Sequence, residues 1–439
     1  MISPKNLRER LVAPKSATRA PVTVFGSLLL FTLFAGDFWR NLISWPGYFA
    51  LAAVLAAGSL AILIATRPRI QWKTIPKALL LFLLLASVSI AWSAYPGASA
   101  LGVLAQLATT AGAALLAYCL TWSALLAAFS RSLQWILALS LLFELVVSTL
   151  VREPVLPLTP LQAPPAHIPS AFYWSRGLLF HGGQIQGIVG NSNLLAMIAL
   201  LALIVFGIQL ADRTVRRTTG FAWVAIALLT LALTRSSTVL VAALVTTVLL
   251  AFALWTRHTP RNRRAPVYLT AGGLLMACVV LTTGFTSRIP ELLGKSEDLT
   301  GRIVIWHKVT ELAQQRPVFG WGWVSYWAPW STPFKDLAER SGVTYLQAHN
   351  AWLDVWMQLG VIGLATFAVL VFTSYHRSWT IAAHESGANT QQLPALSLLP
   401  LLLLTALIVQ SLAESRIIIE GGWTLLAVIA IKTKQVASE

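Results

Sequence analysis

The chain has 439 residues, of which 56% are hydrophobic and only 11% are charged. A soluble domain carries charge on about a quarter of its residues, so this composition excludes an ordinary soluble protein. The net charge of +16 does not indicate a nucleic-acid partner, because the basic residues are scattered between apolar segments and form no single basic face. We therefore expect an all-α protein, a polytopic bundle of transmembrane helices that forms one integral membrane domain over residues 1–439.

Apolar runs of about 20 residues, the length that crosses a bilayer, recur along the whole chain. The first run follows a basic segment and has no small-residue cleavage site after it, which indicates an uncleaved anchor. In total we predict about twelve spans. Their approximate positions are 21–36, 44–65, 78–92, 98–120, 132–151, 189–210, 220–235, 238–256, 266–283, 350–374, 393–412 and 418–431.

The short basic loops between these spans predict an orientation, because loops rich in Lys and Arg stay on the cytoplasmic side. They place both termini in the cytoplasm and the protein in the cytoplasmic (inner) membrane, with affinity for anionic membrane lipids. Cys119 and Cys278 fall inside predicted spans, so no disulfide or cysteine metal site is indicated. The basic residues assigned to the cytoplasmic side are Lys5, Arg8, Arg10, Lys15, Arg19, Arg67, Arg69, Lys73, Lys77, Arg213, Arg216, Arg217, Arg257, Arg261, Arg263, Arg264, Lys432 and Lys434.

This topology leaves two long loops on the outer face, a first over 152–188 and a larger one over 284–348. The first loop ends in a run of small polar residues, in which Asn191 and Asn193 lead into the next span. Asn is a favourable helix N-cap, and a helix N-terminus also offers free N–H groups to an anion. From these residues alone, simple capping is the preferred interpretation.

The larger loop is predicted to contain a helix over 300–315 that lies along the membrane surface and ends before Pro317. One side of this helix is apolar, while Arg302 and Lys308 keep the other side polar. Basic residues in a long loop often mark only a solvated surface, since long loops escape the charge rule. Arginine at the membrane interface also suits a lipid-linked pyrophosphate, because its paired N–H groups bind phosphate oxygens; Arg302, beside Gly301 and a run of apolar residues, is the candidate here.

The start of the next predicted span carries an unusual group of polar residues. Asn350, Asp354 and Gln358 recur every four residues and therefore share one helix face. Such groups are costly in lipid and normally face a cavity or the bundle interior. His349 directly precedes them, and histidine titrates close to neutral pH, which suits proton transfer. The alternative for His349 is a structural role at the membrane interface. Glu144 lies within an apolar span, where it has either a functional or a paired structural role.

A set of motifs follows one order along the chain: Gly190-Asn191-Ser192-Asn193, Thr234-Arg235-Ser236-Ser237, Thr300-Gly301-Arg302, Arg316-Pro317-x-Phe319-Gly320-x-Gly322, His349-Asn350 with Gly360-x-x-Gly363, and Ser411-Leu-Ala-Glu414-Ser-Arg416. This ordered set resembles the bacterial O-antigen ligase family and its related polymerases, over most of the chain after about residue 180. Val239 departs from the family pattern, which has leucine there. The resemblance implies a C-type glycosyltransferase with about twelve spans, a polyprenyl-pyrophosphate glycan donor, and chemistry on the large outer loop.

The resemblance also implies site residues. Arg302 and Arg235, with Arg288 as a weaker third, would bind the donor pyrophosphate and offset its developing charge. His349 would act on the acceptor hydroxyl as general base or as an orienting hydrogen-bond partner, and direct attack would invert the anomeric configuration. No cofactor is implied, and the lack of metal-binding motifs predicts a metal-independent reaction. The supporting residues are Asn191, Asn193, Asn350, Asp354, Glu414 and Arg416.

The leading hypothesis is a ligase that transfers a glycan from undecaprenyl pyrophosphate to a glycan, lipid or protein acceptor at the outer face of the membrane. A polysaccharide polymerase of the same family and a protein O-oligosaccharyltransferase share its expected features. A lipid-linked glycan transporter is the alternative from another class. A transporter is expected to show paired halves with broken helices, and the sequence contains no convincing repeat.

Overall fold

The computed structural model describes residues 20–158, 168–284, 296–335, 337–340, 343–384 and 394–438. Arg288, one of the predicted pyrophosphate ligands, lies outside these ranges, as does the basic segment before residue 20.

Within the described ranges the protein consists of thirteen α-helices and one short antiparallel β-hairpin. Each predicted span coincides with one of these helices, and the predicted surface helix of the large loop is present as α10. The all-α prediction is confirmed. The elements are α1 (Ala20–Phe34), α2 (Gly36–Thr66), α3 (Lys77–Val88), α4 (Pro96–Cys119), α5 (Trp122–Val146), α6 (Ser192–Ala211), α7 (Arg217–Thr234), α8 (Ser237–His258), α9 (Ala265–Gly284), α10 (Ser296–Gln315), β1 (Glu339–Arg340), β2 (Val343–Thr344), α11 (Ala351–Ala382), α12 (Leu399–Ser411) and α13 (Glu420–Ser438).

Among the described helices, seven are long and apolar enough to cross a membrane: α2, α4, α5 with its extension to Val151, α6, α7, α8 and α11. Three shorter apolar helices accompany them, over Ala20–Phe34, Lys77–Trp92 and Ala395–Ser411. The protein is therefore a multi-pass membrane protein. The total of twelve spans stays a prediction, because the shorter helices need neighbouring segments to cross a hydrocarbon core of about 30 Å.

The interior of the bundle is formed by α6, α12 and α13. In the most apolar stretch of α6, 72% of the residues are buried by neighbouring helices, against 11% in α2, whose apolar surface is left for lipid. An aromatic cluster joins this interior to the large loop before α11. The ring of Phe82 in α3 lies 5.3 Å from that of Trp323 in the loop and 5.2 Å from that of Trp423 in α13. Offset aromatic packing of this kind holds the loop onto the helices.

Helix α11 is broken at Gly360, and the large loop before α11 is hydrogen-bonded to the break. Gly360 adopts φ +64°, which removes it from the helical hydrogen-bond pattern. The freed Val361 N–H donates to the Pro317 carbonyl at 2.8 Å, and the Met357 carbonyl accepts from the Trp321 N–H at 3.0 Å. Backbone groups left without partners are costly at membrane depth, so the loop stabilises the break by satisfying them.

The end of the loop before α6 is held by Glu144, a buried carboxylate of α5. Its Oε1 accepts from the backbone N–H groups of Gln186 at 2.9 Å and Gly187 at 2.7 Å, and its Oε2 accepts from the Ser175 hydroxyl at 2.9 Å. Of the two roles considered for Glu144, the structure shows the paired structural one. Asn191 then caps α6 by accepting from the Leu194 N–H at 3.0 Å.

Candidate active site

His349 lies where the large loop before α11 enters that helix. Its backbone has φ +52°, a left-handed conformation that costs a non-glycine residue about 1–3 kcal/mol. Both neighbours hold it there. The Ala348 N–H donates to Asp354 at 2.9 Å and the Ala348 carbonyl accepts from the Trp306 indole at 3.0 Å, while Asn350 caps α11 through the N–H groups of the next turn. The surrounding contacts therefore fix the position of this side chain.

The imidazole of His349 is paired with the carboxylate of Glu414. Its Nδ1 lies 3.0 Å from Glu414 Oε2, and the side chains are only 14% and 11% exposed, so water competes little for the bond. The ring of Tyr345 packs edge-on at 5.2 Å between centroids. Because Nδ1 is engaged by Glu414, the other ring nitrogen, Nε2, is the one that remains to exchange a proton with a substrate.

Glu414 is the centre of this arrangement. Besides His349, its carboxylate accepts from Arg302 Nη2 at 3.1 Å and from Gln347 Nε2 at 3.0 Å. Burial alone would raise the pKa of Glu414, but the charges of His349, Arg302 and Arg416 outweigh it and lower the pKa to about 2. Glu414 is therefore a fixed negative charge between an arginine and a histidine.

Asp354 organises the segments around this pair. Its Oδ1 accepts from the Trp327 indole at 2.7 Å, and its Oδ2 accepts from the Ala348 N–H and from the hydroxyl of Ser415, the residue after Glu414. One carboxylate thereby ties the large loop, the start of α11 and the segment after α12 together. Asp354 is 1% exposed, which makes it a structural anchor and not a group that meets substrate.

Arg416 also belongs to a second network of polar side chains. Arg416 Nη1 donates to the Tyr326 hydroxyl at 2.6 Å and to Glu420 Oε2 at 3.2 Å, and its Nη2 lies 3.5 Å from Asp37. Arg40 pairs with both acids, at 2.6 Å from each. Burial, opposed by the charge of Arg416, raises the pKa of Tyr326, so its hydroxyl stays protonated.

Sequence reasoning named only Arg416 of this second network. The sequence analysis did not single out Asp37, Arg40, Tyr326 or Glu420. A signal was available, because charged residues at the ends of apolar spans are expected to pair inside the bundle. Asp37 and Arg40 are also three residues apart, a spacing at which helical side chains meet.

Arg235 belongs to a different group of polar residues, at the turn between α7 and α8. It is exposed and has φ +49°. The next residue, Ser236, donates its hydroxyl to Asn193 at 2.7 Å, and the Gln184 side chain contacts the Arg235 carbonyl at 3.5 Å. In the part of the chain that the structure describes, no hydrogen bond or ion pair joins Arg235 to His349 or Glu414.

Both groups nevertheless lie at the same end of the bundle. A small cavity of about 40 Å³ is lined by Leu194 in the first turn of α6 as well as by Gln410, Arg416 and Glu420. The start of α6, which carries Asn193, therefore adjoins the segment that carries Glu414 and Arg416. The structure thus places Arg302, His349, Glu414 and Arg416 together and Arg235 at the same end, in a separate cluster.

The positive charge of the site comes from arginine. Among the described residues, no group of three or more His, Cys, Asp or Glu side chains is placed to hold a metal ion. The acidic groups of the site are instead engaged by arginine, as Glu414 is by Arg302 and Glu420 by Arg40. Guanidinium groups at this end of the helices provide the kind of charge that a phosphate ester requires.

The fold and this site define a polytopic membrane protein with a histidine–carboxylate–arginine cluster at one end of its helices. The model of the O-antigen ligase family matches residues 221–368, a region that holds Arg235, Arg302 and His349. The chain is similar to this family over these residues, and the resemblance inferred from its motifs is confirmed. No curated protein matches the chain. This similarity indicates a membrane glycan function of the ligase or polymerase type.

Proposed function

We propose that the protein is an inverting, metal-independent glycosyltransferase of the cytoplasmic membrane. It transfers a glycan from polyprenyl (undecaprenyl) pyrophosphate to a hydroxyl of a glycan, lipid or protein acceptor at the outer face. The observation that supports this most strongly is the contact of one buried carboxylate, Glu414, with both His349 and Arg302. An imidazole and a guanidinium held by one anion are suited to deprotonating an alcohol beside a phosphate leaving group.

The donor determines what Arg302 has to do. A lipid pyrophosphate is already a good leaving group, so the enzyme chiefly positions it and offsets the charge that develops as it departs. The contact between Arg302 and Glu414 uses Nη2, and a guanidinium carries five N–H donors, so donors remain for phosphate oxygens. The Arg302 side chain is only 17% exposed, and this shelter from water strengthens a contact with phosphate oxygens. Arg235 contributes further positive charge at the same end of the bundle.

The acceptor determines what His349 has to do. With Nδ1–H donated to the Glu414 carboxylate, Nε2 carries the lone pair and accepts the proton of the acceptor hydroxyl. The acceptor oxygen then forms a bond to the anomeric carbon. The bond from that carbon to the pyrophosphate oxygen breaks, and the electron pair leaves with the pyrophosphate. Glu414 stabilises the imidazolium, and attack from the opposite face inverts the anomeric centre.

Reconstitution with a labelled lipid-linked glycan tests the proposal. We expect purified protein in vesicles to release free polyprenyl pyrophosphate as the glycan appears on the acceptor. Movement of intact donor across the bilayer without release would identify a transporter and overturn the proposal. Repeated addition to a growing glycan would identify the polymerase member of the same reaction class. His307→Ala is the matched control, since His307 is 76% exposed and lies on the same loop helix as Arg302.

A further inference from the structure

A long groove lies between α7 and α8, with α6 and α12 as its floor. Its volume is about 760 Å³, and most of its wall is apolar, with Leu231 on α7 and Leu250 on α8 among the lining residues. Gly207 of α6 lines the floor, and a side chain added at this glycine would meet nothing within 4 Å. The floor of the groove is therefore open space that a ligand of the right shape can occupy.

The groove opens at the end of the bundle opposite Arg235. Helices α7 and α8 are joined by the Arg235–Ser236 turn, so their other ends, at Arg217 and His258, both lie on the far side. Along α8 the lining continues as far as His258, whereas α7 contributes residues only from its half near the turn. The two helices thus spread apart toward their far ends, where the mouth of the groove lies.

The apolar part of the groove has the length of one bilayer leaflet. From Ala243 to Leu254 the lining follows α8 for about 16 Å, at a rise of about 1.5 Å per residue. Half of a hydrocarbon core of about 30 Å is about 15 Å. An acyl chain that enters at the mouth would therefore lie in the groove over its full depth.

The mouth of the groove is positively charged. Its charge comes mainly from Arg216 and Arg217, which are exposed at the start of α7; Arg257 also lines the groove, but its guanidinium is buried and donates to the Ala382 carbonyl and the Ser397 hydroxyl. The N-terminus of α7 has no side-chain cap, so its free N–H groups and helix dipole also favour an anion. Asp212, the one acid among the described residues that line the groove, accepts from the Ala395 and Leu396 N–H groups at 2.6 and 2.9 Å.

We propose that this groove is a binding site for one anionic phospholipid, with an acyl chain between α7 and α8 and the phosphate at the basic mouth. The site is distinct from the proposed donor site, since Arg235 lies at the opposite end of the same two helices. The phospholipid would hold the spread ends of α7 and α8 together and is not a reactant. The proposal does not depend on the transfer reaction.

Electron paramagnetic resonance tests this with phosphatidylglycerol spin-labelled on its acyl chain, in vesicles of phosphatidylcholine. We expect an immobilised component in the wild-type spectrum that Gly207→Phe reduces by filling the groove. Gly272→Phe on α9 is the matched control, because a side chain at this helical glycine also meets nothing within 4 Å. The double variant Arg216→Gln, Arg217→Gln should reduce the preference for phosphatidylglycerol over phosphatidylcholine by about five-fold or more.

Three results would overturn the proposal. The first is a spectrum without an immobilised component, or with one that Gly207→Phe does not change. The second is equal immobilisation of labelled phosphatidylglycerol and phosphatidylcholine. The third is displacement of the label by an equimolar amount of undecaprenyl phosphate, which would assign the groove to the tail of the donor. Glycan transfer, measured on the same vesicles, reports the proposed function separately.

Discussion

Glu414→Gln isolates the role of the carboxylate at the centre of the site with little change in shape. In the wild type, Oε1 accepts from Arg302, and Oε2 accepts from Gln347 and contacts His349 Nδ1. Glutamine has one accepting oxygen and one donating NH₂ group. Arg302 is the charged donor, so we expect the amide oxygen to face it and the NH₂ group to face His349.

This orientation would reverse the tautomer of the imidazole. His349 Nδ1 would have to accept from the amide, which moves the ring proton to Nε2 and removes the lone pair that takes the acceptor proton. Loss of a general base costs about 10²–10⁴ in rate, and a wrong tautomer in a histidine–carboxylate pair falls at the upper end of that range. We therefore expect kcat of Glu414→Gln to fall by about 10³-fold or more.

The same variant changes the dependence of stability on pH. The folded protein holds the pKa of Glu414 at about 2, below its ordinary value of 4.5, so the stabilisation is present above pH 4.5 and is lost as the pH falls toward 2. At 1.36 kcal/mol per pH unit the difference corresponds to about 3 kcal/mol. The melting temperature in detergent should fall more steeply between pH 5 and 3 for the wild type than for Glu414→Gln.

The assay for Glu414→Gln is release of polyprenyl pyrophosphate at matched protein levels and saturating donor and acceptor. Folding of the variant is judged by its melting temperature at neutral pH. A folded variant with a kcat within about three-fold of the wild type would refute the reversed tautomer, since loss of the general base predicts a fall in kcat of at least about 10²-fold. Glu311→Gln is the control, because Glu311 is 60% exposed on the helix that carries Arg302.

Three further predictions concern the arginine, the metal and the helix break. Arg302→Lys should be severely impaired and Arg302→Ala nearly inactive, because lysine keeps the charge but loses the paired N–H donors that bind phosphate oxygens. Lys308→Ala is the control. Wild-type kinetics in Arg302→Ala would remove Arg302 from the site. Activity should survive EDTA, since arginine supplies the positive charge; loss that magnesium or manganese reverses would contradict this. Gly360→Ala should lower the melting temperature or prevent accumulation, because its Cβ would lie 2.1 Å from the Val318 carbonyl oxygen, whereas Gly272→Ala should behave as the wild type.

The helices were predictable because each depends on a local property of the chain. An apolar run long enough to span a bilayer forms a helix wherever it occurs, since its backbone groups must be satisfied within the segment. The break at Gly360 was not predictable in this way. Its glycine resembles any small residue of an apolar helix, and only the bonds to Pro317 and Trp321 show that the helix is interrupted there.

The candidate site was likewise only partly predictable from the sequence. His349 and Arg302 could be selected by residue type and motif. The central position of Glu414 could not, because it stands 65 residues from His349 and 112 from Arg302, and only the packing of α12 against α11 brings them together. The pair of Arg40 and Glu420, 380 residues apart, was missed for the same reason. Arg235 was selected by motif, and its part in the reaction stays a prediction.

The most direct test of the central claim is a single-turnover measurement with His349→Ala. Purified wild type and variant are loaded with a stoichiometric amount of labelled polyprenyl-pyrophosphate glycan of known anomeric configuration and mixed with acceptor. We predict that the wild type yields a product of inverted configuration and that His349→Ala transfers about 10²–10⁴ times more slowly, while His307→Ala matches the wild type. Transfer by a folded His349→Ala variant at the wild-type rate, or a wild-type product of retained configuration, would contradict the account.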